Sequence, residues 1–101
     1  MRDELSAKLE PILRAHCVQL AYLFGSQATG QAGSLSDFDF GVLFRATLSP
    51  AERFRQRLSL IAELIGVLHA QQIDVVVLND APPTIRFKII EHGQIIYNED
   101  E

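Results

Sequence analysis

The chain has 101 residues, the size of one ordinary domain, and 48% of them are apolar, enough for one core and not for two. Nine Lys and Arg against thirteen Asp and Glu leave a net charge of −4, which argues against a nucleic-acid partner because phosphate backbones are met by basic faces. The apolar runs are too short to cross a bilayer, no apolar signal core follows Met1-Arg2-Asp3-Glu4, and Cys17 has no second cysteine to pair with; these features predict a cytoplasmic protein with no membrane partner.

Leu5, Leu9, Ile12 and Leu13 recur at helical spacing and predict a first helix over residues 3–16, kinked or split at Pro11. Val18 to Phe24, rich in β-formers and aromatics, reads as a strand that stops at Gly25-Ser26. Gly30, Gly33, Ser34 and Ser36 then mark a loop. Asp37 to Phe44 is a second strand, with Asp37, Asp39 and Gly41 alternating with Phe38, Phe40 and Val42. Ser49-Pro50-Ala51-Glu52 is a capping box with Pro at the first helical position. The helix it opens runs to about His69, with Phe54, Leu58, Ile61, Leu64, Ile65 and Leu68 on one face. Ile73 to Leu78 is a nearly all-apolar strand broken by Asp74, the pattern of a central strand covered on both faces. Pro82-Pro83 opens a last short helix, Gly93 stops it, and Gln94 to Tyr97 forms a final strand. The alternation of strands and helices, without repeat or linker, predicts one α/β domain over residues 1–101.

The chemistry concentrates in Leu23-Phe24-Gly25-Ser26, ten further residues, and Asp37-Phe38-Asp39. A strand that runs into Gly-Ser and a helical turn presents backbone N–H groups to phosphate oxygens. Gly25 lets a phosphate approach the backbone, and Ser26 adds a hydroxyl donor. Asp37 and Asp39, two apart on a strand, point to one face and would repel each other without a cation. Mg²⁺, a hard ion that binds through carboxylates and substrate phosphates, suits that pair. Asp74 breaks into Ile73-Asp74-Val75-Val76-Val77, where a charge is costly unless paired or metal-bound, and is the candidate third carboxylate of a two-metal site. Gly, Ser and two Asp at fixed offsets arise by chance on the order of once in 10³ chains of this length, which makes the spacing specific.

This pattern, Gly-Ser followed after ten residues by Asp-x-Asp, resembles the minimal nucleotidyltransferases of the DNA polymerase β superfamily, and the likeness runs from Leu20 to Tyr97. Ile85 to Ile90 with Gly93 also looks like the C-terminal part of those domains. The resemblance implies a small mixed sheet flanked by helices. It implies Asp37, Asp39 and Asp74 as catalytic and metal residues for two Mg²⁺ ions, and Gly25-Ser26 as the triphosphate site, with ATP as substrate. Small members of the family resemble antitoxins that add adenylate to a tyrosine of a HEPN-domain toxin, and that is the implied partner and reaction. One departure is Thr29, where family members often carry Arg; a lost cation there predicts weaker triphosphate binding.

Blander roles stand beside these. A strand-edge Asp can accept N–H bonds from a neighbouring loop. His16, His69 and His92 lie at or near helix ends, where His suits the C-terminal dipole. Arg53, Arg55 and Arg57 are expected on the wet face of their helix, and Arg86 and Lys88 on another. The rival from a different class is a binding module of the same fold that silences its partner by contact alone; a nucleic-acid end-transferase is disfavoured by the acidic charge. Replacing Asp37 and Asp39 by Asn is expected to leave stability unchanged or higher, because their repulsion is relieved.

Overall fold

The structure, a computed structural model, describes residues 2–25 and 37–100. In chain order the elements are α1 (Arg2–Ala15), β1 (Val18–Phe24), β2 (Phe38–Phe44), α2 (Pro50–Leu68), β3 (Ile73–Val77), α3 (Pro83–His92) and β4 (Gln94–Asn98). The strands form one mixed sheet in the order β3-β2-β1-β4. β1 pairs antiparallel with both β2 and β4, while β2 and β3 run parallel. This is the small mixed sheet flanked by helices that the sequence implied.

One face of the sheet carries the main core. Phe40 and Val75, register partners across β2 and β3, are buried there with Ala21, Leu23, Val42 and Phe44. Leu9, Ile12 and Leu13 of α1 and Leu60 and Leu64 of α2 close over them. Phe38 and Phe40 stack at 6.0 Å between ring centroids. The opposite face is covered more thinly. There Tyr22, Leu78 and Ile89 form a small cluster, with Leu20, Phe24, Leu43 and Val76 half-buried around it. Ile89 reaches the sheet only because Gly41 has no side chain: a Cβ on Gly41 would stand 2.8 Å from Ile89 Cγ2.

Several expectations change. α1 runs unbroken through Pro11. Pro11 and Ala7, whose carbonyl loses its usual partner to the proline, are both exposed, so water can replace the missing bond. The capping box of α2 forms as predicted, Ser49 accepting from the Glu52 amide and Glu52 from the Ser49 amide. The buried stripe of α2 is nevertheless Leu60 and Leu64, while Phe54 and Leu58 are exposed at 61% and 49%. β3 is an edge strand and not a central one, so Asp74 faces water and carries no burial penalty. His16 is buried, its Nδ1 2.8 Å from Gln56 Oε1 and its Nε2 3.0 Å from Glu63 Oε1, so it ties the end of α1 to α2. Among the described residues, no helix is long and apolar enough to cross a membrane.

Candidate active site

The register gathers the acidic residues at one end of the sheet. Phe24, the last residue of β1, is the Cα partner of Asp39 on β2, and Asp39 is the Cα partner of Asp74 on β3. Parallel neighbours lie about 4.8 Å apart, so the two carboxylates start side by side. Phe40 and Val75, the next residues along, point into the main core; the pleat therefore sends Asp39 and Asp74 to the other face together. That is the face α3 covers, but α3 leaves this end of it open: the Asp74 side chain is 50% exposed.

Gly25 sits directly after β1 with φ +77°, a left-handed conformation that glycine adopts freely. A Cβ built there would lie 2.3 Å from Asp39 Oδ2 and 3.1 Å from its Cγ. The turn backbone therefore approaches the Asp39 carboxylate as closely as only glycine allows. Ser26, Thr29, Gly30 and Gly33 lie outside the described residues, and so do the predicted helical turn and the hydroxyl donor.

Asp37 takes a different place from the one expected. It precedes β2 instead of opening it, and its carboxylate Oδ2 accepts the amides of Gln71 at 2.7 Å and Gln72 at 3.2 Å. The Asp37 amide in turn donates to the Gln72 carbonyl at 2.8 Å. These bonds staple the start of β2 to the loop before β3 through Oδ2. Charge-assisted bonds of this kind are about twice as strong as neutral ones. Asp37 thus also ties two segments of the chain together, a contact that the expectation for the paired Asn replacement did not include.

Two arginines expected on a wet face are engaged. Arg53 forms a fork with Asp80, Nε to Oδ2 at 3.0 Å and Nη2 to Oδ1 at 2.7 Å, and also donates to the Leu48 carbonyl. This contact holds the Asp80 carboxyl below the usual carboxylate range. Arg57 donates from Nε to the Val75 carbonyl at 2.7 Å, and its Nη2 stands 3.8 Å from Asp74 Oδ1. Neither contact was readable from helical spacing. Arg57 also lines an open groove of about 460 Å³ with Phe54, Val76, Pro82 and Ile85.

Asp37, Asp39 and Asp74, the candidate donors among the described residues, offer carboxylate oxygens, the hard set that Mg²⁺ takes. Asp39 and Asp74 fit such an ion by register and shared face, whereas Asp37 has its Oδ2 engaged by the loop amides of Gln71 and Gln72. Among the described residues, no three His, Cys, Asp or Glu side chains are already drawn together tightly enough to hold one. An oxygen-donor site of this kind would draw its remaining ligands from substrate phosphates and water.

The family pattern described as "Polymerase beta, Nucleotidyltransferase" matches residues 7–101. Protein adenylyltransferase MntA of Aphanizomenon flos-aquae is 31% identical over 103 residues, covering 95% of this chain. The chain spans 66% of that relative's length. A relative from Methanocaldococcus jannaschii is 31% identical over 91 residues, 90% of this chain and 92% of that protein. Among solved structures, the fold is similar to a chain of a toxin–antitoxin crystallised with AMP-PNP, with TM-score 0.73 and 28% identity over 92% of this chain and 73% of that one. It is also similar to a chain of the complex between tri-AMPylated Shewanella oneidensis HEPN toxin and MNT antitoxin. That match has TM-score 0.70 and 25% identity, over 99% of this chain and 75% of that one.

Proposed function

The chain belongs to the polymerase beta nucleotidyltransferase family, and from that premise we propose that it transfers adenylate from ATP to a tyrosine hydroxyl on a HEPN-type partner protein, acting as the antitoxin of a toxin–antitoxin pair in the cytoplasm. One observation carries the reading: Asp39 and Asp74 stand in register on one open sheet face, and the Gly25 turn closes directly on Asp39. In this reading Gly25 and Ser26 receive the triphosphate, while Asp37, Asp39 and Asp74 would hold two Mg²⁺ ions. Those ions would supply charge neutralisation for the attacking and leaving oxygens.

The acceptor oxygen forms a bond to the α-phosphorus as the bond to the bridging oxygen breaks, and pyrophosphate departs. Asp74, the more open of the in-register pair, takes the hydroxyl proton. A partner protein that brings its tyrosine to this end of the sheet would complete the site.

The contact-only rival gains some ground from Asp37, whose Oδ2 accepts two loop amides. Co-expression with the HEPN-type partner, followed by intact-mass measurement, separates the two. The expected result is an adenylate-sized increment on the partner, absent in Asp39→Asn and Asp74→Asn and absent when EDTA is added to the purified reaction. A partner that is silenced yet carries no added mass would establish the contact-only module.

A further inference from the structure

α2 lies against the core face of the sheet, whereas the Asp74 side chain leaves the opposite face. Arg57 is the α2 side chain that joins the two. β3 is an edge strand, and the Leu78 amide donates to Val42 across the β2–β3 ladder, so the alternation of the ladder turns the Val75 carbonyl outward. Arg57 reaches over that outer edge and donates to this carbonyl from Nε at 2.7 Å, with only 32% of its side chain exposed. The same planar group then places Nη2 at 3.8 Å from Asp74 Oδ1. That separation is too long for a hydrogen bond, so the guanidinium acts on Asp74 through its charge without occupying a lone pair.

We propose that Arg57 is a positioning residue for Asp74: clamped by Nε to the Val75 carbonyl, it holds a fixed positive charge beside the carboxylate and sets the direction in which Asp74 points. The inference rests on the reading of Asp74 as a carboxylate of the transfer site. The physical need is plain. Asp39 is the in-register neighbour of Asp74, like charges side by side repel, and among the described residues Arg57 is the opposite charge that stands beside this half-exposed carboxylate. An arginine does what a lysine cannot, because one rigid fork serves the backbone carbonyl and the carboxylate at once. The long contact leaves Asp74 available to a metal ion or a proton. A shorter, bidentate pair would compete for the same oxygens.

The test uses the full chain with Arg57→Met and Arg57→Lys. Without metal or nucleotide, the Hα–Hβ couplings of Asp74 report its rotamer by NMR. The wild-type protein is expected to show one dominant rotamer, and both variants an average of several, since lysine keeps the charge but loses the clamp. With ATP, Mg²⁺ and the tyrosine-bearing partner, kcat is expected to fall roughly tenfold to a hundredfold while KM for ATP stays within about twofold. A merely structural arginine would lower the melting temperature and leave couplings and kcat in place. Unchanged couplings or an unchanged kcat in Arg57→Met overturns the proposal. Full transfer by Asp74→Asn would instead overturn the reading of Asp74, and the couplings would still decide whether Arg57 orients it.

Discussion

Replacing Gly25 with alanine tests the site at its tightest point. Gly25 has φ +77°, and an L-residue in that left-handed region costs roughly 1–2 kcal/mol. For a domain of this size, that lowers the melting temperature by roughly 4–16 °C. The new methyl group would also stand 2.3 Å from Asp39 Oδ2, where ordinary carbon contacts begin near 3.5 Å. The obstacle is the far end of a flexible side chain, so the fold survives by swinging the carboxylate away about 1 Å. A displacement of that size at a reacting centre costs on the order of a hundredfold in rate. Gly66→Ala is the matched control, because a Cβ at Gly66 meets nothing within 4 Å and a helical Gly-to-Ala change stabilises by about 1 kcal/mol. Differential scanning fluorimetry gives the melting temperatures, and adenylylated partner quantified by mass spectrometry gives the rate. A Gly25→Ala protein that transfers at the wild-type rate would refute the place given to Gly25 and Asp39.

Gly41→Ala drives a Cβ to 2.8 Å from Ile89 Cγ2, and overpacking of this kind is expected to destabilise by about 1–3 kcal/mol in denaturant unfolding; a stabilised variant would mean that α3 gives way freely. Acid should weaken the fold. The hydrogen bonds from Arg53 to Asp80 and from the Ser49 backbone to Glu52 depress both carboxyls in the folded state. Their stabilisation is therefore present above the ordinary carboxylate range and lost as pH falls through the depressed values. The melting temperature should stay level from about pH 7 to 5 and drop below about pH 4, and Arg53→Met should shrink the drop; a profile unchanged by that substitution counts against the Arg53–Asp80 fork.

What the sequence revealed depended on how far apart the partners lie in the chain. The capping box at Ser49–Glu52 and the Gly93 stop are local and were readable. So was the second strand, expected over Asp37–Phe44 from its alternation and found over Phe38–Phe44, whereas Asp74 was picked out for breaking an apolar run and proves to be the register partner of Asp39. The phase of α2 was readable in its second half, where Leu64 is buried and Ile61, Ile65 and Leu68 pack on the core, and not in its first. Phe54 and Leu58 satisfy the helical period as well as Leu60 and Leu64 do, and only the position of the sheet selects between them. The edge position of β3 was hidden because a continuous apolar run reads as a covered strand, whichever neighbours it has. Asp37 meets amides thirty-four and thirty-five residues away, and Arg57 a carbonyl eighteen away, and no spacing rule reaches across such intervals.

Of the ten residues of α3, Ile89 is the buried one; Ile85, Phe87 and Ile90 are exposed at 45%, 63% and 49%. A helix that buries one side chain has a low free energy of local opening, while β1, hydrogen-bonded on both sides, opens only when the whole sheet does. Amide protons of α3 should thus exchange with deuterium well before those of β1. The lifting of this helix would uncover Tyr22 and Leu78 without disturbing Leu60, Leu64 or the core on the other side. The two faces of the sheet therefore differ in tempo: a slow, tightly closed side under α1 and α2, and a quick one beside the acidic row, where the molecule can rearrange without coming apart.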